Sequence, residues 1–133
     1  MPYGMVKPDE FAWITRPHAS GEPARHVAEL SDDLGLTRGR CNVWRYEAGA
    51  AGRRHRHRTQ EETFVVLSGA LTMYLGEPPE RVDVPVGGVV HVAAGTPLQT
   101  VNHGAEDLLV YVHGSPPEDE NAELLESAVG EEG

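Results

Sequence analysis

The sequence predicts an all-β fold, either a sandwich or a barrel of short strands in one domain. Three observations lead to this prediction. Short runs rich in β-branched and apolar residues recur at near-even spacing over residues 41–113, and glycine, proline or asparagine separates them. A chain of 133 residues is long enough to close one hydrophobic core, and no internal repeat divides it. Each element can then be assigned in chain order.

Residues 1–23 are predicted to form an N-terminal arm. The segment is rich in proline and charge and carries Trp13 and Ile14 as apolar anchors. Apolar side chains of this size need a surface to cover, so the arm is expected to pack on the barrel or to cross to a partner subunit.

The barrel itself is predicted over residues 24–114. A strand at 25–30 is followed by a turn at 31–39, where Asp32, Asp33 and Gly35 break regular structure. Eight further strands are predicted at residues 41–47, 54–57, 63–67, 70–75, 81–84, 89–92, 99–101 and 108–113.

The tail, residues 115–133, is rich in proline and then acidic. Residues 121–129 are predicted to form one or two helical turns, with Leu124, Leu125 and Ala128 toward the body. The last four residues, 130–133, are expected to be disordered.

The composition excludes several partners. The formal net charge of −10 argues against binding to nucleic acid or to an anionic membrane, since both attract basic surfaces. No window approaches the roughly 18 apolar residues of a membrane-spanning helix, and the first residues lack the pattern of a signal peptide. A cytoplasmic location is therefore expected. Cys41 is the one cysteine, so no intrachain disulfide forms, and its apolar surroundings predict a small core residue.

The stretch from Gly49 to Gly69 carries the chemistry. His55 and His57 are two residues apart, so on a strand both imidazoles leave the same face. Glu62 stands at the head of the next apolar run. Two imidazoles and a carboxylate from neighbouring strands make a facial site for a divalent transition metal. The arginines that alternate with the histidines are expected to face water: Arg54, Arg56 and Arg58.

The same basic run allows a rival interpretation as a nucleic-acid or phosphate patch. Strand alternation and the acidic net charge both count against it. Either Arg53 or Arg54, at the mouth of the barrel, remains a candidate to pair with a substrate carboxylate.

The spacing G-x5-H-x-H-x4-E-x6-G over residues 49–69 resembles the first conserved motif of the cupin superfamily at all five fixed positions. The resemblance implies a jelly-roll barrel, also called a double-stranded β-helix. It also implies that His55, His57 and Glu62 are metal ligands. Glu61 is then expected to face the other way, at the rim.

The second cupin motif, G-x5-P-x-G-x2-H-x3-N, is kept only in part. Gly87, Gly95 and Asn102 match it, but Ala93 replaces the proline and Leu98 replaces the histidine. That histidine is usually the fourth protein ligand of the family, so the resemblance implies a three-ligand site with more room. Three residues near the gap are expected to point elsewhere and not to replace it: His91, Gln99 and His103.

The resemblance implies a metal-dependent enzyme acting on a small molecule, with dioxygenase-like chemistry as the leading hypothesis. Its cofactor would be one divalent transition metal: Fe, Mn, Ni, Cu or Zn. The alternative is a non-catalytic module that binds or senses a small ligand, with a structural metal or none. Small cupins often form homodimers by sheet extension, and the Trp13 region suits that role.

A set of side chains is predicted to line a substrate pocket, although ordinary core packing explains most of them equally well. Leu98 in place of a histidine would make the cavity more apolar, which favours an apolar or aromatic substrate. The predicted pocket residues are Trp44, Tyr46, Phe64, Val66, Met73, Leu98 and His113.

Overall fold

The computed structural model describes residues 2–16, 21–118 and 122–129, and it confirms the all-β prediction. Within these residues the strands are β1 (Trp13–Arg16), β2 (Arg25–Glu29), β3 (Arg40–Tyr46), β4 (His55–Arg56), β5 (Glu61–Ser68), β6 (Leu71–Leu75), β7 (Glu80–Val84), β8 (Val89–Val92), β9 (Leu98–Val101), β10 (Leu108–Ser115) and β11 (Glu123–Leu124). One short α-helix, α1 (Ser31–Leu34), lies in the predicted turn and is capped by Gly35 with φ 73°, and a 3₁₀ turn spans Pro8–Glu10. None of the described helices is both long and apolar enough to cross a bilayer.

The strands form two antiparallel sheets. The larger sheet has the order β1-β2-β3-β10-β5-β8, and the smaller has the order β11-β4-β9-β6-β7. The chain changes sheet at every connection from β3 to β6 and again from β7 to β11. This crossing pattern is that of a double-stranded β-helix, and it places the neighbouring motif strands β4 and β5 in opposite sheets.

The core lies between the two sheets because alternate residues of each strand point inward. Strand β10 shows the pattern most clearly: Leu108, Val110, Val112 and Gly114 are buried, and the residues between them are half-buried. The remaining buried apolar residues of this cluster are Tyr46, Ala50, Phe64, Val66, Leu71, Met73, Val84, Val92 and Leu98. The inward-facing side chains of β3, β10 and β5 therefore form one wall of the barrel interior.

A smaller apolar cluster covers the other face of the larger sheet. Cys41 and Val43 of β3 are buried there with Ala28, and the early residues Val6 and Phe11 pack against them. The buried position of Cys41 agrees with the prediction of a core residue. Strand β1 pairs with β2 and forms the edge of the sheet, so the described part of the predicted arm packs on the barrel.

The prediction of helical turns over residues 121–129 is wrong for the described residues 122–129. Glu123 and Leu124 pair with β4 instead, and the amide of Leu125 donates to the carbonyl of Arg54 at 2.8 Å. Strand β4 would otherwise be a sheet edge with unpaired backbone groups, which the returning chain satisfies. Residues 130–133, predicted to be disordered, lie outside the described residues.

The prediction that Arg54 faces water is also wrong. Its side chain is covered by the returning tail and is only 8% exposed. It donates to Glu77 at 2.9 Å and to the carbonyl oxygens of Gly76 and Glu126 at 3.2 and 3.3 Å. Arg54 does point away from the histidines, as alternation requires, but that face of the strand is covered.

Candidate metal centre

The three predicted ligands come together between the two sheets. His55 lies on β4 and His57 directly follows it, whereas Glu62 is the second residue of β5 in the opposite sheet. Their ligand atoms all lie within 4.8 Å of one another. The Nε2 atom of His57 is 3.2 Å from Oε1 of Glu62, and the imidazole rings of the histidines are 5.1 Å apart at 89°. Such a group could hold a metal ion.

Both imidazoles are oriented by a hydrogen bond at Nδ1. His55 Nδ1 donates to the carbonyl oxygen of Arg53 at 2.8 Å, and His57 Nδ1 donates to Oε2 of Glu118 at 3.1 Å. Carbonyl and carboxylate oxygens only accept, so each ring carries its proton on Nδ1. The Nε2 atoms are then the ligand atoms that the two rings would offer to a metal, and the hydrogen bonds at Nδ1 fix the ring orientation.

Glu118 is a site residue that the sequence did not reveal. Its Oε1 accepts the backbone amides of Thr59 at 2.6 Å and Gln60 at 3.2 Å. Burial of Glu118 disfavours its charged form, but these hydrogen bonds and the one from His57 outweigh burial and lower its pKa to about 2. It lies in the acidic tail, where carboxylates are usually solvated, so only the return of the chain identifies it.

Glu62 has the properties of a ligand. Gln60 donates to its Oε2 at 3.3 Å, whereas the buried Oε1 has no hydrogen-bond partner. Burial of His57 would lower its pKa, but the adjacent carboxylates Glu62 and Glu118 outweigh burial and raise it. A buried carboxylate oxygen beside two imidazole Nε2 atoms is the donor set that a divalent transition metal uses, so these residues fit such an ion.

Burial lowers the pKa of His55, and the nearby charges of His57 and Arg25 act in the same direction. The Arg53 carbonyl and Glu62 oppose this effect without cancelling it. The neutral form that coordinates a metal is thereby favoured at His55.

The candidate ligands open onto a cavity of about 270 Å³ between the sheets. Its apolar lining comes from Trp44, Phe64, Leu98, Val110 and Val112, and its polar lining includes Asn42, Gln60 and Thr100. Three arginines also line it: Arg25, Arg40 and Arg53. Strand pairing in the larger sheet brings Arg40 and Glu62 to the same level of the cavity. Gly114 of β10 pairs with Arg40 of β3 on one side and with Glu62 of β5 on the other.

The structure places four of the seven predicted pocket residues on this cavity: Trp44, Tyr46, Phe64 and Leu98. Trp44 and Tyr46 share the inward face of β3 with ring centroids 5.9 Å apart, and the Tyr46 hydroxyl lies 2.5 Å from Thr100 Oγ1. Leu98 pairs with His55 across β4 and β9. Its apolar side chain therefore stands beside the candidate ligands and offers no donor atom.

The other three predicted pocket residues lie elsewhere. Val66 and Met73 belong to the closed hydrophobic core, where they are 1% and 0% exposed. His113 is displaced by strand alternation: its neighbours Val112 and Gly114 face the cavity, so His113 faces the opposite side. Its ring lies against Gly39, where an added Cβ would be 2.7 Å from Nε2.

The residues considered as replacements for the missing ligand do not replace it. Gln99 points away from the cavity and donates to the carbonyl of Gly52 and to Ser127 at 2.9 and 3.0 Å. His91 is exposed and lies 2.8 Å from Glu61, which faces outward as expected. His103 is also exposed and lies 3.1 Å from the hydroxyl of Tyr74.

The sequence analysis also did not identify Arg25 and Arg40 as cavity residues. Alternation could have found Arg40, because it shares the inward face of β3 with Trp44 and Tyr46. Arg25 could not be found in this way. Its place on the cavity depends on the pairing of β2 with β3, which sets Arg25 opposite Tyr46.

Comparison with known proteins gives a family and a fold. A family model described as a cupin domain matches residues 42–114. The structure is similar to a sugar phosphate isomerase from Silicibacter pomeroyi, with 24% identity and a TM-score of 0.72 over 85% of this chain and 76% of that chain. No curated protein sequence matches significantly.

Two further solved structures have the same fold. An uncharacterized protein with a double-stranded beta-helix domain from Klebsiella pneumoniae is 22% identical, with a TM-score of 0.71 over 92% of this chain and 97% of that chain. A predicted oxalate decarboxylase from Thermotoga maritima is 17% identical, with a TM-score of 0.72 over 85% of this chain and 99% of that chain. At these identities the likeness shows the fold alone.

Proposed function

The chain belongs to the cupin family, and we propose from its site that it is a metal-dependent enzyme acting on a small molecule. One observation carries the proposal. The buried Oε1 of Glu62 faces Nε2 of His57 at 3.2 Å without a well-aligned hydrogen bond, and the ligand atoms of His55, His57 and Glu62 all lie within 4.8 Å of one another on a cavity wall. A carboxylate left in this state costs stability unless a cation or a proton donor joins it.

His55, His57 and Glu62 would hold one divalent transition metal, chosen from Fe, Mn, Ni, Cu or Zn. When bound, the metal would supply a redox centre or a Lewis acid. Leu98, beside His55, adds no donor atom and so leaves positions of the site open to substrate. A three-ligand site of two histidines and a carboxylate with open positions supports oxygenase-like chemistry, which we propose as the reaction type.

The other residues of the cavity prepare the site for a ligand. The Arg53 carbonyl and Glu118 hold the two imidazoles in the tautomer that presents Nε2. Trp44, Phe64 and Leu98 form apolar wall, which limits water around the reacting atoms and strengthens electrostatic interactions there. This lining supports a substrate with an apolar or aromatic part.

A second candidate function is a non-catalytic module that binds or senses a small ligand. Leu98 at the usual position of the fourth ligand favours it, because fewer ligands weaken the hold on a metal. In that case the barrel and the cavity remain, and the metal is structural or not bound.

The first experiment is elemental analysis of protein purified without chelators and without a metal-binding tag. We expect about one equivalent of a transition metal per chain, and its loss in His55→Ala. His91→Ala is the matched control, since this exposed histidine lies on the outer face of β8. A native protein that holds no metal and refuses added Fe(II), Mn(II) and Zn(II) would replace the enzyme proposal with the binding module.

We also propose a homodimer formed through the N-terminal arm, and the cytoplasmic location remains a prediction. Strand β1 lies at the edge of the larger sheet, and Trp13 and Ile14 are 36% and 38% exposed, which supports sheet extension by a second copy. Sedimentation equilibrium of the native protein and of Ile14→Lys tests the dimer. An unchanged mass in the variant would exclude this interface.

A further inference from the structure

We propose that the cavity binds a small organic carboxylate with an apolar body, and that Arg25 and Arg53 hold the carboxylate group. This proposal names the substrate class of the site proposed above and rests on that function for the ligand's role as substrate. The binding itself depends on the arginines, which are distinct from the metal ligands.

The cavity arginines differ from other arginines of the chain in their partners. Four arginines outside the cavity each have a carboxylate oxygen within 3.3 Å: Arg45, Arg54, Arg56 and Arg81. Within the described residues, no carboxylate forms such a pair with Arg25, Arg40 or Arg53. Glu62 is the one acidic residue on the cavity wall in the described part of the chain, so this wall carries net positive charge, whereas the whole chain has a net charge of −10. A local excess of this sign attracts an anion.

Arg25 is held in place without being neutralised. Its guanidinium carbon lies 5.1 Å from the ring centroid of Trp44 and 5.9 Å from that of Tyr46. Its Nε is buried and has no hydrogen-bond partner. Stacking on a ring fixes a guanidinium but uses none of its N–H donors, so the donors remain available to an oxyanion.

Arg53 and Arg40 play different parts. The backbone carbonyl of Arg53 orients His55, and this exposed residue lies on the cavity wall. Arg40 is already engaged, because its Nε donates to Gln60 at 2.9 Å and Gln60 in turn donates to Glu62. The terminal N–H groups of Arg40 remain, and Arg40 adds positive charge near the candidate metal ligands. Within the described residues the side chains of Arg25 and Arg53 make no hydrogen bond, so these two have the most donors to offer.

The apolar part of the wall selects the body of the ligand. Phe64, Leu98, Val110 and Val112 offer no hydrogen-bond partners, so each hydroxyl group of a sugar phosphate placed against them would lose its water without replacement. An apolar or aromatic body loses nothing there. The volume of about 270 Å³ lies just below the usual range of small-molecule sites, which limits the ligand to a compact molecule.

The test is isothermal titration calorimetry in a buffer free of carboxylate and phosphate. The probes are benzoate, phenylacetate and hexanoate, with benzamide as the uncharged match for benzoate and glucose 6-phosphate as the rival anion. We expect at least one of the three carboxylates to bind, benzamide to bind more weakly, and Arg25→Gln or Arg53→Gln to weaken carboxylate binding about tenfold or more. Arg81→Gln, an exposed arginine paired with Asp83, is the control and should leave binding unchanged.

Three results would overturn the proposal: no binding of any of the three carboxylates, equal binding of benzamide and benzoate, or tighter binding of glucose 6-phosphate. Arg53→Gln keeps the test decisive if Arg25→Gln fails to fold, since Arg53 lies in a loop before β4. Metal content measured on the same samples separates the two proposals. If the protein binds metal but no carboxylate, the carboxylate proposal is wrong and the metal-dependent enzyme is not affected. If the native protein binds a carboxylate but no metal, the proposed enzyme is wrong and the anion site remains.

Discussion

Strands β4 and β9 lie side by side at the candidate metal centre, yet they differ in what they contribute. Strand β4 and the residue after it supply two oriented imidazoles, whereas β9 places Leu98 opposite His55. Two motif glycines serve the backbone: Gly87 before β8 and Gly95 before β9 have φ of 85° and 84°, values that favour glycine. The fold and the metal ligands can therefore change independently, because different residues support each.

The largest effect is expected when one of the two imidazoles is removed. His57→Ala is expected to lower metal affinity by more than the ~100-fold that outer residues of metal sites typically control, because one of three donor atoms disappears. Titration with Fe(II) or Zn(II) measures the change. His103→Ala, which removes an exposed histidine outside the cavity, should bind as the native protein does. Native affinity in His57→Ala would exclude the proposed ligand set.

Asn102, which follows β9, is expected to affect stability and not metal binding. Its side chain is buried, donates to the carbonyls of Tyr46 and Glu106 at 3.0 and 2.8 Å, and accepts the amide of Gly104 at 3.0 Å. Asn102→Ala leaves these backbone groups without partners, so the free energy of unfolding should fall by about 2–3 kcal/mol. Urea denaturation measures the loss. A large fall in metal affinity without loss of stability would contradict this division of roles.

Glu118 tests how strongly the tail supports β4. Glu118→Gln keeps the size of the side chain but removes the charge that orients His57, so metal affinity should fall by ~10- to 100-fold. Glu123→Gln is the matched control, because this carboxylate also lies in the tail but pairs with Arg56 away from the cavity. Equal affinities in the two variants would show that the contact between Glu118 and His57 does not tune the site.

The sequence predicted the parts of the site that depend on local rules. Strand alternation put His55 and His57 on one face, and the motif spacing selected Glu62 over Glu61. It missed the contacts that depend on long-range pairing: Glu118 lies 61 positions from His57, and Arg25 reaches the cavity only through the register of β2 and β3. The same limit explains the errors at His113 and Arg54. To place His113 correctly, the inward face of β10 had to be known. To place Arg54 correctly, the path of the C-terminal tail over β4 had to be known.

The smallest expected effect comes from restoring a donor atom to β9. Leu98→His places an imidazole on the residue that pairs with His55. With this fourth donor, metal affinity should rise by roughly tenfold. The same change should weaken binding of an apolar ligand, because Leu98 forms part of the apolar wall. Leu98→Ala is the control, since it removes the apolar side chain without adding a donor. If metal affinity rises equally in both variants, the cause is removal of the Leu98 side chain and not coordination by a new imidazole. Strand β9 then limits metal binding through the size of the side chain at position 98.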